Sequence, residues 1–243
     1  MDQKYGGKLE TIDFCARKVY RFRNPPSGEQ QLVRQFFNKK NGFFVDVGAN
    51  HPTLESQTWH LEQLGWNGLL IEPLDEYCEL LRKERRARTI QVACSNPRNH
   101  GQQLRMTVAA GHSTLNPNPI ALGTHSKQFA TVECRTLDSV LHDNDVQAID
   151  MMSIDIEGHE MEMFAGFSLA RWRPRLVLLE DHVTTHEKHR HMVSNSYQLI
   201  FRTGLNSWYV PTEEGFSLGG IAHFQKFRKY WLGLPGRKIK YRR

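Results

Sequence analysis

The sequence of 243 residues has no long apolar run; the longest, Leu176–Leu179, is far short of the ~18 residues a membrane-spanning helix needs. Cysteine is scarce and scattered. Cys15, Cys78, Cys94 and Cys134 form no C-x-x-C pair, which argues against a cysteine metal site and predicts a reduced, cytoplasmic protein. The opening Met1-Asp2-Gln3-Lys4 begins no apolar stretch, so no cleaved secretion signal is expected. There are no internal repeats. The phosphate-binding pattern G-x-G-x-x-G is missing, since residues 48–53 read Gly-Ala-Asn-His-Pro-Thr, and so is a Walker A sequence. The run His182, His186, His189 and His191 contains no H-E-x-x-H and is interleaved with Lys188 and Arg190; it reads as a solvated basic helix face, and no metal is expected.

Acidic residues are absent from the last 19 positions. Residues 225–243 hold eight Lys or Arg and no acid, whereas the whole chain has 32 basic and 26 acidic residues, so residues 1–224 carry 24 − 26 = −2. The basic character therefore belongs to one end. Such an end suits an anionic membrane surface, nucleic acid or a phosphorylated ligand, or serves only as a solvated, solubilising terminus. Phe227, Tyr230, Trp231 and Tyr241 interleave with the basic residues there.

What is present is an alternation. Ser27 and Gln30 match a capping box ahead of Leu32, Val33, Phe36 and Phe37 at helical spacing. Strands are expected at 43–47, 68–72, 89–94, 151–156, 176–180 and 207–210. Helices are expected at 54–64, 74–86, 136–142, 160–164 and 186–201. Short apolar strands alternating with helices predict a doubly wound, mostly parallel α/β domain over residues 42–212. Two further strands, 104–109 and 129–135, bracket a loop rich in Gly, Pro, Asn and His, giving an inserted loop or hairpin near 98–135. Residues 1–41 read as an N-terminal extension and helix, and 213–243 as a basic aromatic C-terminal tail.

In an open α/β sheet, ligands bind beyond the carboxyl ends of the strands. Those ends here are rich in carboxylates: Asp46, Glu72, Asp155, Glu157, Glu180 and Asp181. Desolvating them together is costly unless a ligand or cation pairs with them. Gly48 permits a tight turn after the first strand. Glu72, closing the second, is placed to accept bonds from both hydroxyls of a ribose, as nicotinamide dinucleotides and S-adenosylmethionine both require. The missing phosphate fingerprint favours S-adenosylmethionine.

Four ordered blocks carry a family resemblance: Gly42-Phe-Phe-Val-Asp-Val-Gly-Ala-Asn50, Gly65-Trp-Asn-Gly-Leu-Leu-Ile-Glu-Pro73, Arg135-Thr-Leu-Asp138 and Ile154-Asp-Ile-Glu-Gly-His-Glu160. Together they resemble the FkbM family of S-adenosylmethionine-dependent O-methyltransferases, with a narrower similarity to enzymes that 2-O-methylate the fucose of Nod factors. The resemblance implies a seven-stranded Rossmann-like class I methyltransferase fold. It implies that Asp46, Gly48 and Asn50 shape the cofactor loop, that Glu72 holds the ribose, and that Cys94 and Ser95 lie near the adenine. It also implies an acceptor hydroxyl on a sugar or polyketide, for example O-2 of a deoxysugar such as fucose. Pro52 departs from the family pattern, which often has Gly there; proline is tolerated in a first helical turn.

Methyl transfer to a hydroxyl needs alignment and a proton acceptor. The turn Asp155-Ile156-Glu157-Gly158-His159 is the expected seat of chemistry, with Glu157 or His159 as base, His182 as the alternative, and Asp155 facing the cofactor's ammonium. A cation held by Asp155, Glu157 and Glu180 is compatible with this but not required. The loop Gly111-His112-Ser113-Thr114-Leu115 is a candidate cover for the acceptor. Competing readings are an NAD-linked oxidoreductase, and a non-catalytic nucleic-acid or membrane-surface binder using the basic end; the acidic strand ends speak against nucleic acid. A cytoplasmic protein, peripheral to the membrane through its basic end, is the expected setting.

Overall fold

The computed structural model describes residues 26–109, 113–115, 128–216, 223–224 and 227–240. The expected extension before Pro26 and the loop residues Gly111, His112 and 116–123 lie outside these, as do Cys15, Lys226 and residues 241–243. Helix α1 (Pro26–Phe37) leads into strand β1 (Phe43–Val47). The chain continues through α2 (Trp59–Glu62), β2 (Asn67–Ile71), α3 (Asp75–Glu84), β3 (Arg88–Ile90) and β4 (Ala93–Cys94). Strands β5 (Gln103–Val108) and β6 (Gln128–Arg135) precede α4 (Leu137–Asp143), β7 (Met151–Ile154), α5 (Glu160–Phe164) and α6 (Leu169–Trp172). Then come β8 (Leu176–Glu180), α7 (Glu187–Ser194), β9 (Tyr197–Thr203), β10 (Asn206–Pro211) and, after a π-helical turn over Arg228–Leu232, α8 (Leu234–Lys240). Among the described residues no helix is long and apolar enough to cross a membrane.

Seven strands form one sheet in the order β3-β2-β1-β7-β8-β10-β9. All neighbours pair in parallel except those of β10, which runs antiparallel to both β8 and β9. This is the Rossmann-like architecture expected from the sequence. The order reverses between β1 and β7, and a crevice opens at the carboxyl ends of strands at such a switch point. Side chains alternate between two cores. Val45, Val47, Leu69 and Ile71 enter the core that also holds α4, α5 and α6, while Phe44 and Leu70 enter the one that holds α1. The inserted region is an antiparallel β5–β6 hairpin, joined by β4 into a three-stranded sheet.

Several local expectations change. Residues 89–94 are two strands rather than one: β3 ends the large sheet, and β4 crosses to the small one. The expected helix over 54–64 shrinks to Trp59–Glu62. Asn50 and Glu55 sit at φ 49 and 59, and the Pro52 carbonyl is taken by the Arg85 guanidinium, so the preceding residues form a loop. The stretch 186–201 splits into α7 and β9. The helix ends at Ser194, Ser196 takes φ 60, and Tyr197–Thr203 is almost wholly buried as a strand against β10. Helix α1 starts at Pro26, so Ser27 lies inside its first turn, and Gln30 donates to the Ser56 carbonyl instead of closing a capping box.

Arg85, just past α3, is the polar anchor of this half of the molecule. Its side chain is 0% exposed and pairs with Glu62, 2% exposed, at 3.0 Å. The same guanidinium donates to Pro52 O, Ser56 Oγ and Thr58 Oγ1, and Thr58 passes a 2.6 Å bond to Asp46 Oδ2. Glu62 also accepts from the amides of Arg86 and Ala87. Removing one member of a buried ion pair leaves the other uncompensated, at a cost of about 3–5 kcal/mol. Arg85→Met should therefore lower the melting temperature by roughly 10 °C in a chain of this size. Calorimetry checks this; an unchanged melting point would show that the pair is dispensable.

Gly48 allows a separate test of the β1–β7 junction. At φ +85, a Cβ there would stand 1.9 Å from the Asp155 carbonyl oxygen. Gly65 has a similar φ of +95, but its nearest neighbour would be 3.6 Å away. Both Ala substitutions carry the strain of a left-handed residue, about 1–2 kcal/mol, but only Gly48→Ala adds the clash. Thermal denaturation should show Gly48→Ala as clearly the more destabilised of the two.

Candidate active site

A cleft of about 340 Å³ lies at the carboxyl edge of β1, β2 and β7. Its lining includes Asp46, Gly48, Asn50, Glu72, Cys94, Asp155, Glu157 and His159, so most of the residues singled out in the sequence are brought together. Ser95 stands behind the wall, wholly buried, and Glu180 and His182 lie outside the lining. Five carboxylates line the cleft (Asp46, Glu55, Glu72, Asp155 and Glu157), and no Lys or Arg does among the described residues.

The first turn forms where β1 ends. The amides of Gly48 and Ala49 both donate to Ile71 O, at 2.9 and 3.1 Å, which folds the chain over the end of β2. Asn50 then takes φ 49 and donates its amide to Glu72 Oε2 at 3.0 Å, while Leu74 N donates to Oε1 at 3.0 Å. Glu72 lines the cleft with each of its oxygens fixed by a backbone amide. Burial raises its pKa to about 7; the two amide bonds oppose the shift, and the nearby Asp46 and Glu76 charges add to it. Burial likewise raises Asp46, against its bond from Thr58 and the Arg85 charge.

The second turn follows β7. Asp155 N bonds to Val47 O at 3.0 Å, joining the two strand ends. Asp155 lines the cleft and is open to solvent there. Desolvation by the packed strand ends still raises its pKa well above the ordinary range, and the Glu180 charge and a hydrogen bond with Glu180 raise it further. Glu157 sits at φ 49, an uncommon conformation for glutamate, and Gly158 follows at φ 85. Thr114, in the insertion, donates its hydroxyl to Glu157 O at 2.7 Å and bridges to Thr107 in β5. The described part of the expected cover loop is thus latched to the turn, and Ser113 and Leu115 line the cleft.

His159 is buried, with Nε2 3.0 Å from Ser95 Oγ, which also accepts from Asn99. Burial holds the His159 pKa below its ordinary value, with Glu162 and Glu160 pulling the other way. Burial also lowers His182, against the Glu180 charge. One donor atom each from Glu157, Glu180 and His182 lie within 4.8 Å of one another, close enough for a single cation to bridge them.

Three residues that shape the cleft were not singled out in the sequence for this role. Lys188, read as part of a solvated face, turns inward and pairs with buried Glu160 at 2.9 Å, while donating to Glu180 O. Burial alone would lower the Lys188 pKa, but Glu160 and Asp181 keep it raised. Asn206 lines the cleft and is held by Glu29 of α1 at 2.8 Å. Arg85 was invisible because its partners are far away in the chain. The remaining histidines are dispersed: His186 meets Tyr230, His189 bonds to Tyr209 OH, and His191 stacks on Phe164.

A family model described as the methyltransferase FkbM domain matches residues 46–202, from the last turn of β1 into β9. A search of curated proteins finds no match to the chain. The matched stretch is more than half of the sequence and contains both turns that build the cleft, so the chain belongs to the FkbM methyltransferase family.

Proposed function

We propose that the protein is an S-adenosylmethionine-dependent O-methyltransferase whose acceptor is a sugar hydroxyl, such as O-2 of a deoxysugar like fucose, in a glycan or glycosylated small molecule. The observation that carries this reading is the charge of the cleft: five carboxylates and no Lys or Arg among its described lining residues, the imidazoles of His51 and His159 being the only basic groups there. A dinucleotide would bring a pyrophosphate to those carboxylates, with no G-x-G-x-x-G loop to receive it. S-adenosylmethionine has no phosphate and carries cationic ammonium and sulfonium groups. Glu72 would take the ribose hydroxyls, Asp155 the ammonium, and Tyr77, Val92, Cys94 and Met106 supply apolar wall for the adenine.

Bound there, the cofactor supplies a methyl group on a sulfonium, an electrophile whose departing thioether is neutral. Asp46 and Gly48 hold the loop against which it would lie. Glu157, lining the cleft and latched by Thr114, would accept the proton of the acceptor hydroxyl on a carboxylate oxygen. His159, neutral and tied to Ser95, acts as a positioning residue behind Glu157. His182 is the reserve base, through its nearness to Glu157 and Glu180.

A methyl-transfer screen against deoxysugar glycosides, read by mass spectrometry, tests the reaction. A positioned base contributes about 10²–10⁴-fold. Glu157→Gln should lower turnover within that range and leave cofactor affinity nearly intact. If Glu157→Gln stays active while His182→Ala does not, the base belongs to β8. Activity lost to a chelator and restored by magnesium or manganese would assign Glu157, Glu180 and His182 to a cation instead.

The cofactor site has a pH signature. The ionised Glu72 carboxylate is the better acceptor for ribose hydroxyls, and its pKa is about 7. Affinity should therefore fall as pH drops below about 7, approaching roughly tenfold per unit, the limit for a single required ionisation. Glu72→Gln should bind more weakly and lose this dependence. The ligand's own amino group titrates against both proteins, so the difference between the two calorimetric profiles isolates Glu72. Identical profiles would remove Glu72 from the ribose site.

A further inference from the structure

After Glu214 the sequence has no further Asp or Glu, yet eight Lys or Arg follow. The described part of this segment is helical and two-sided. On its inner side Tyr230 is 0% exposed; its hydroxyl meets Ser207 Oγ at 2.7 Å and Asp181 Oδ2 at 3.5 Å. Its carbonyl accepts from His186, and Arg237 Nε donates to Val183 O at 3.0 Å. On the outer side Phe227 stacks over Trp231, with centroids 6.1 Å apart. Phe224, Phe227, Trp231, Leu232 and Ile239 are 44–70% exposed, and they are five of the eleven large apolar side chains exposed among the described residues. Lys238 is exposed beside them. Concentrated exposed apolar surface on a soluble domain marks an interaction site.

We propose that Phe224, Phe227, Trp231, Leu232, Lys238 and Ile239 form a docking surface for an anionic lipid bilayer. Apolar and aromatic side chains interleaved with Lys and Arg suit the headgroup–acyl boundary, where the rings and alkyl chains are buried and the cations meet lipid phosphates. Leu232 and Ile239 are the two most exposed of the five, at 61 and 70%; they offer nothing for a nucleobase to stack on and gain most from an acyl layer. A second copy of the chain would set one basic surface against another. The segment is also tied to the body of the domain. Its anchors, Asp181 and Val183, flank His182 at the carboxyl end of β8. β8 runs parallel to β7, so docking would bring the sheet edge on which the cleft lies towards the lipid interface, and the acceptor it selects is a glycan carried on a lipid. That last step rests on the proposed function of the cleft.

Co-sedimentation with vesicles of phosphatidylcholine alone, or of phosphatidylcholine with phosphatidylglycerol, tests the surface. Partitioning should be about tenfold or more stronger on the anionic vesicles and should be lost at high salt. Trp231 emission should shift to the blue on binding; Trp231→Phe should remove most of that shift. Phe227→Ser/Leu232→Ser/Ile239→Ser should weaken partitioning about tenfold without changing the melting temperature or the S-adenosylmethionine titration. Equal binding to both vesicle types, or a triple variant that binds like the wild type, would overturn the proposal. Retention of the protein by single-stranded RNA but not by vesicles would overturn it too, as would a triple variant whose only change is dissociation of a dimer. Vesicle binding with no response to S-adenosylmethionine would leave the surface standing and refute the reading of the cleft.

Discussion

The buried guanidinium of Arg85 is the constraint on which the cleft depends. A loop of eleven residues separates β1 from α2, and it is shaped by residues whose backbones do not want to be helical: Asn50, Pro52 and Glu55. Its own bonds, from Thr53 and Leu54 N to His51 Nδ1 and from Thr58 and Trp59 N to Ser56 Oγ, span only two or three residues and do not tie the loop to the body. Arg85 does so from the far side of β2, bonding the loop at Pro52, Ser56 and Thr58 while Glu62 balances its charge. Thr58 then fixes the Asp46 carboxylate. The placement of Asp46, and of the loop that carries Asn50 to Glu72, follows from a cation one layer behind the cleft.

The same logic recurs on the other side of the switch point. Lys188 reaches from α7 to Glu160 and to the carbonyl of Glu180, so the β7 and β8 ends share one half-buried cation. Thr114 reaches from the insertion to the Glu157 carbonyl and holds a residue at a positive φ that glutamate rarely adopts. Strain of this kind persists where the surroundings over-determine it, and it gathers at functional sites. Each cleft turn therefore has an anchor outside its own segment: Arg85 for the first, Lys188 and Thr114 for the second.

This division explains what could be read from the sequence. Strands β1, β2, β7, β8 and β10 were legible because burial on both faces makes them short apolar runs. The cleft residues were legible because they sit within one or two positions of those runs. The anchors were not. Glu62 and Arg85 are 23 residues apart, and Tyr230 and Asp181 are 49 apart, so neither partner is marked by local pattern. Lys188 lies in a run of polar residues that reads as a solvated face, and only the fold turns it inward. The 186–201 stretch misled for a related reason: Tyr197–Thr203 has no alternation because both its faces are covered, and periodicity cannot distinguish such a strand from the end of a helix.

Two inward-turned cations, buried Arg85 and half-buried Lys188, also bear on the electrostatics of the cleft. Each makes its closest ion pair with a glutamate behind the lining, Arg85 with Glu62 and Lys188 with Glu160. Neither lines the cleft, and no other Lys or Arg does among the described residues. Burial raises Asp46 and Glu72, and desolvation together with the Glu180 charge raises Asp155, so each of these carboxyls is costlier to ionise than an isolated one. On the proposed function, a cationic ligand entering the cleft would stabilise their ionised forms, whereas an anionic ligand would raise that cost further. The cleft would then discriminate by the free energy of ionising its own side chains, in favour of a positively charged, phosphate-free ligand.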